Sequence, residues 1–168
     1  MSTQRRHCDA PASVVWEVLS DPWLFASWVV GASRIRDVTG QWPAEQSLIH
    51  HSVGIWPLLL DDTTSVLSSV PGSVLVLQAR GRPLGEARVE MRLEDEPGGC
   101  GIVMREWAVS GAGTLLPRAV HDAAIGVRNR EALRRLALIA QGRHSGPRSR
   151  GPGSGGAGSG GAGSGTAQ

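Results

Sequence analysis

No lysine and no tyrosine occur in this chain of 168 residues, which has one phenylalanine and two cysteines. Cys8 and Cys100 show neither CxxC nor metal-ligand spacing, so the usual cysteine metal sites are excluded. No run approaches the ~20 consecutive apolar residues of a membrane-spanning helix, and the opening MSTQRRHCDA lacks an apolar leader core. A cytoplasmic protein with free thiols is the expectation. All 17 basic residues are arginines, and Arg143, Arg148 and Arg150 lie beyond residue 142. That leaves 14 basic against 15 acidic residues in the body, so the pI of 9.0 belongs largely to the end of the chain. With no basic cluster on the body, no nucleic-acid partner is expected.

What is abundant is glycine, and much of it is segregated. Residues 143–168 are chiefly Gly, Ser, Ala, Pro and Arg, and Gly-Ser-Gly-Gly-Ala at 153–157 recurs at 158–162. Such a segment cannot bury enough apolar surface to offset chain entropy. The expected organisation is one domain over 1–142 and a disordered tail over 143–168.

Within the body, residues 3–8 form a short first strand. Pro11 is expected at the first position of a helix capped by Asp9 or Ala10, with Val14, Val15, Val18 and Leu19 as its buried stripe. Asp21-Pro22 repeats the device for a second short helix carrying Trp23, Phe25 and Trp28 and ending by Gly31. Strands follow over 34–39, 47–55, 60–70 and 73–80. The clearest alternation is Gly85, Ala87, Val89, Met91 and Leu93 against Glu86, Arg88, Glu90, Arg92 and Glu94, which gives one buried and one wet face. Glu96-Pro97-Gly98-Gly99 makes a hairpin into a last strand over 101–110. A long helix then begins near Leu115 or Leu116, with Pro117 in its first turn, and runs to Gln141 before a C-cap at Gly142. Its expected inner face is Ala119, Ala123, Gly126, Arg130, Leu133, Leu136, Ala137 and Ala140, small residues first and aliphatic ones after. Short loops make the strands antiparallel. The fold class is α+β: a curved antiparallel sheet of six to seven strands wrapped around a long C-terminal helix, with two short helices after the first strand.

Several stretches together resemble the helix-grip (START-like, SRPBCC) superfamily, in its bacterial polyketide cyclase-like branch. They are Ala10-Pro11 through Val14-Val15-Trp16, Leu19-Ser20-Asp21-Pro22, Trp28-Val29-Val30-Gly31 and His50-His51-Ser52-Val53-Gly54 with Trp56-Pro57. Gly81-Arg82-Pro83-Leu84-Gly85, Glu106 and Arg128-Asn129 leading into Leu133 and Leu136 continue the match over residues 3–141. One departure is Ala44-Glu45-Gln46, where the family commonly has a glycine. The resemblance implies a bacterial protein with a cavity between the long helix and the sheet that takes a hydrophobic small molecule, with no metal and no tight cofactor. Trp28, Ile49, Val53, Val89, Met91, Met104, Ala123, Gly126, Asn129 and Arg130 are the residues expected around it. Against a cavity stands a filled core, packed by the six tryptophans.

The polar candidates each carry two readings. His50 and His51 cannot share a metal on a regular strand, because neighbours point to opposite faces. His51 shares parity with Ile49, Val53 and Ile55, and is either a cavity acid/base or a hydrogen-bonded core histidine. Glu106 shares parity with Ile102, Met104 and Ala108, but Val103, Arg105, Trp107 and Val109 make a rival inward face. Asp61-Asp62 reads as strand-start chemistry. Asn129 bonds either the sheet or a ligand. GRPLG at 81–85 has the wrong spacing for a phosphate loop, and Cys8 and Cys100 are expected to be inert. Three functions follow. The first is binding of a lipid-like or polyketide-like molecule. The second is cyclase/aromatase-type catalysis by His51 and Glu106, and the third is a protein-interaction role with a filled cavity.

Overall fold

The computed structural model describes residues 1–55, 58–81, 85–111 and 118–146. Trp56-Pro57, the Arg82-Pro83-Leu84 loop, the expected helix start at 115–117 and the tail from 147 onward lie outside the described residues. The strands are β1 (Ser2–Cys8), β2 (Ala32–Thr39), β3 (Leu48–Ile55), β4 (Leu58–Val70), β5 (Val74–Gly81), β6 (Gly85–Glu96) and β7 (Gly99–Ser110). The helices are α1 (Ala12–Leu19), a 3-10 turn (Pro22–Leu24), α2 (Phe25–Trp28) and α3 (Arg118–Ser145). All neighbouring strands pair antiparallel in one sheet of order β1-β7-β6-β5-β4-β3-β2.

β2 to β7 follow one another as hairpins, and only β1 pairs out of order, with β7. Its polar text, TQRRHC, is that of an edge strand exposed along its middle, with Ser2 and Cys8 buried at the two ends. The α1–α2 elbow carries the chain from one edge of the sheet to the other. α1 packs on α3, β6 and β7, and α2 on α3 and β2. Register shifts on β2, β4 and β7 mark irregularities that bend strands and tighten twist, which lets the sheet curl around the helix.

Three local expectations need correction or completion. Pro11 is the N-cap of α1 rather than its first residue, at φ −64° and ψ 155°, and no side chain caps it. Asp9 is engaged elsewhere, accepting a 2.6 Å hydrogen bond from Gln141 Nε2. Gly142 does not end α3, which continues to Ser145. Arg143 pairs with Asp21 at 3.2 Å and, with Gln141, ties this last stretch to the elbow. In the Ala44-Glu45-Gln46 turn, Gln46 itself takes the left-handed conformation, at φ 67°, that a glycine would adopt at less cost. The Asp21 cap holds as read, its carboxylate accepting from Trp23 N at 3.1 Å.

The core is filled at one end. Leu133, Leu136, Ala137 and Ala140 of α3 meet Val15, Val18 and Leu19 of α1 and Leu75, Leu93 and Ile102 of the sheet, all buried. Cys8 and Cys100 face each other across β1 and β7 beneath the helix. Both thiols are free and buried, and burial pushes both thiol pKa values up, Cys100 to about 11. A thiol held so far above neutral pH is a poor nucleophile.

Candidate ligand cavity

The other end of the core is open. A cavity of about 430 Å³ lies between the leading half of α3 and the concave face of the sheet. Its apolar wall includes Phe25, Trp28, Val53, Leu77, Val89 and Met104, and small residues such as Ala79, Ala87, Ala108 and Ala132 leave it room. Four of the tryptophans do not fill it: Trp28 lines the wall, Trp23 is 63% exposed, and Trp16 and Trp42 pack on the core from its margin.

Trp28, His51, Val53, Val89, Met104, Glu106 and Asn129 come together on the cavity wall. Ile49 and Met91 lie on the expected sheet face, yet they are fully buried in the packed core and outside the lining. Ala123 and Arg130 are exposed on α3. Gly126 is buried against β1, where an added Cβ would meet Gln4 Nε2 at 3.2 Å and Ser2 Oγ at 3.7 Å. The lining stripe of α3 is instead Ala124, Ile125, Arg128, Asn129 and Ala132. The trailing half of the helix is buried on two sides, so its wide apolar arc extends backwards along two stripes. One, through Gly126, meets β1, and the other, through Asn129 and Ile125, meets the cavity.

β3 pairs with β4 in regular register through His50 and His51, so these side chains diverge. His50 Nε2 meets Thr39 Oγ1 at 3.2 Å, while His51 turns inward, 4% exposed, beside the Phe25 ring at a centroid distance of 5.4 Å. His51 Nε2 shares a 3.0 Å hydrogen bond with Thr64 Oγ1, and Nδ1 has no partner among the described residues. Burial, helped by the charge of Arg36, lowers the His51 pKa from 6.5 to about 4. The imidazole is therefore neutral at neutral pH. Its proton is taken up by the unfolded chain below about 6.5 but not by the folded one until about 4. Stability should therefore fall as pH drops through that window, by up to about 3 kcal/mol from this group. Urea titrations at several pH values are expected to show that fall in the parent chain, and a shallower one in His51→Gln.

Glu106 is 3% exposed on the cavity-facing side of β7, along with Met104 and Ala108. The rival face points outward, where Arg105 pairs with Glu90 at 3.2 Å. Both Glu106 oxygens accept from Arg128 Nη2. The arginine side chain is 46% exposed and reaches in from α3. Such a carboxylate is a partner in an ion pair before it is a proton carrier. Asp62 and Thr64, read as strand-start residues or not singled out, also line the cavity. Their signal was parity: Asp62, Thr64 and Val66 alternate on β4 and are buried, with Asp62 directly opposite His51 in register. In the sequence, Arg128 stands out only as half of the Arg128-Asn129 motif.

Among the described residues no three His, Cys, Asp or Glu side chains gather as a metal-binding set, and no helix is long and apolar enough to cross a membrane. A curled antiparallel sheet gripping a long helix over a cavity defines the helix-grip class. The family described as polyketide cyclase / dehydrase and lipid transport matches residues 2–141, and the chain belongs to it. No curated protein sequence matches. Among solved structures, a protein from Rhodobacter sphaeroides is 22% identical with a TM-score of 0.64, over 82% of this chain and 89% of that one. The di-domain aromatase/cyclase StfQ of the steffimycin biosynthetic pathway is 12% identical with a TM-score of 0.65. That match covers 84% of this chain and 50% of StfQ. Ara h 8.0201 is 10% identical with a TM-score of 0.63, over 82% of this chain and 95% of that one. At these identities the likeness is one of fold.

Proposed function

We propose that the protein binds a hydrophobic small molecule, lipid-like or polyketide-like, inside the cavity beneath α3. The observation that carries this is the volume itself: about 430 Å³ walled chiefly by apolar side chains. That is within the range of small-molecule sites, and a void of this size weighs against a protein-interaction role built on a filled core. The family description, which joins cyclase, dehydrase and lipid-transport proteins, supports the same reading. Native mass spectrometry of protein from its own host, followed by denaturing extraction, tests it. A reproducible small-molecule adduct is expected. Absence of any adduct, together with failure of a panel of lipids and polyketides to bind, would remove the proposal.

A second reading has an observation in its favour. His51 and Glu106 line one cavity from different strands, each with a fixed partner, Thr64 or Arg128. In a cyclase/aromatase-type reaction the walls would fold a reactive chain and these two groups would move protons. The low pKa of His51 makes it a weak base at neutral pH, so binding without turnover is the better-supported function. Product formation from a poly-β-ketone thioester, abolished in both His51→Gln and Glu106→Gln, would reverse that ranking.

A further inference from the structure

Among the described residues three buried side-chain atoms lack a hydrogen-bond partner: Ser20 Oγ, His51 Nδ1 and Asn129 Nδ2. Folded proteins leave few such atoms, and each calls for an explanation. Two of the three belong to cavity-lining residues on facing walls, Asn129 (2% exposed) from α3 and His51 (4% exposed) from the sheet. Between the two walls lies apolar surface, including Trp28, Leu77 and Val89.

We infer that the cavity is built for a neutral, oxygenated guest anchored at two points, with an acceptor oxygen on Asn129 Nδ2 and a hydroxyl on His51 Nδ1. This rests on the small-molecule reading and narrows it. An amide nitrogen only donates, so its partner must accept. The Thr64 hydroxyl on His51 Nε2 can donate or accept, which leaves Nδ1 free to take either role, and a guest hydroxyl complements both. Charge sets the limit among the described lining residues, where both guanidiniums are already paired, Arg128 with Glu106 and Arg80 with Glu86. An anionic guest, such as a fatty acid carboxylate, would find no unpaired guanidinium among these residues and would compete with Glu106 and Glu86 for the two that are there.

A matched tricyclic series tests this on the full chain by calorimetry: fluorene, 2-hydroxy-9-fluorenone and 9-fluorenone-2-carboxylate. The hydroxyketone is expected to bind at least about ten-fold more tightly than either of the others, the gain of roughly one well-placed hydrogen bond. Asn129→Leu removes one donor. His51→Gln keeps a polar group beside Thr64 but removes the δ nitrogen. Each should cut that preference, read as the ratio of hydroxyketone to fluorene affinity within the same variant, to about three-fold or less. Equal binding of fluorene and the hydroxyketone, tightest binding of the carboxylate, or an undiminished preference in both variants would overturn the inference and leave the cavity reading standing. Should none of the three compounds bind the parent chain, the cavity reading falls and takes this inference with it. If one variant does not fold by circular dichroism, the ranking on the parent chain and the other variant still decide.

Discussion

Replacing Arg128 by leucine is expected to lower stability at pH 7 by about 3 kcal/mol, and adding Glu106→Gln is expected to restore most of it. The reason is the asymmetry of the pair. Glu106 is buried beneath the helix, whereas Arg128 is half in solvent. Removing the arginine leaves a carboxylate in a low-dielectric wall with its principal partner gone, while the arginine alone would simply hydrate. Breaking a fully buried pair costs about 3–5 kcal/mol, and the exposure of Arg128 places this one at the lower end. Urea unfolding of the parent, the single variant and the double variant measures it. A loss below about 1 kcal/mol in Arg128→Leu, with no recovery in the double variant, would show that the pair is a surface contact of little consequence.

Gly99→Ala is expected to cost about 3 kcal/mol or more, and its neighbour Gly98→Ala only about 1 kcal/mol. In the sequence both glycines read as residues of one hairpin. The structure separates their tasks. Gly98 has φ +81° and open space where a Cβ would sit, so it pays only for a left-handed backbone. A Cβ on Gly99 would lie 2.0 Å from the Cys8 carbonyl oxygen and 3.1 Å from Asp9 Cα. Both contacts are backbone, so β1 would have to move off β7 or the hairpin deform. Thermal melting of the two variants ranks them, and equal losses would contradict the close approach.

How far the molecule can be read from its residues depends on which signal each part rests on. The alternation through Ala87, Val89 and Met91 against Arg88, Glu90 and Arg92 placed β6 and its faces correctly, because a period of two admits only two phases. The same logic sent His50 and His51 to opposite sides. β1 was harder to see, since its stability lies in backbone pairing with a strand about a hundred residues away. On α3 the phase was ambiguous: a helix buried on two sides shows an apolar arc too wide to single out one stripe. Gly126 therefore falls among the expected cavity residues, although it packs on β1 and the space is over Asn129 and Ala132. The Arg128–Glu106 pair escaped because a long side chain can enter a cavity from a residue whose backbone faces solvent. Depth along the sheet was also hidden. Ile49 and His51 share a face, and only packing decides that one ends in core and the other at the void.

The division of α3 follows from the same residues. Its second half, Leu133, Leu136 and Ala140, closes against α1 and fixes the helix. Its first half spans the sheet over small side chains and leaves the volume in which a guest can sit.

Titration of 9-fluorenone into the parent chain and into Ala108→Phe, followed calorimetrically, tests the internal site most directly. Ala108 lies on the wall opposite Ala87 in register, so a phenylalanine there projects into the void. An internal site predicts saturable binding to the parent and at least about ten-fold weaker binding to the filled variant, at unchanged melting temperature. Equal affinity in the two chains, or no binding to the parent, would contradict it.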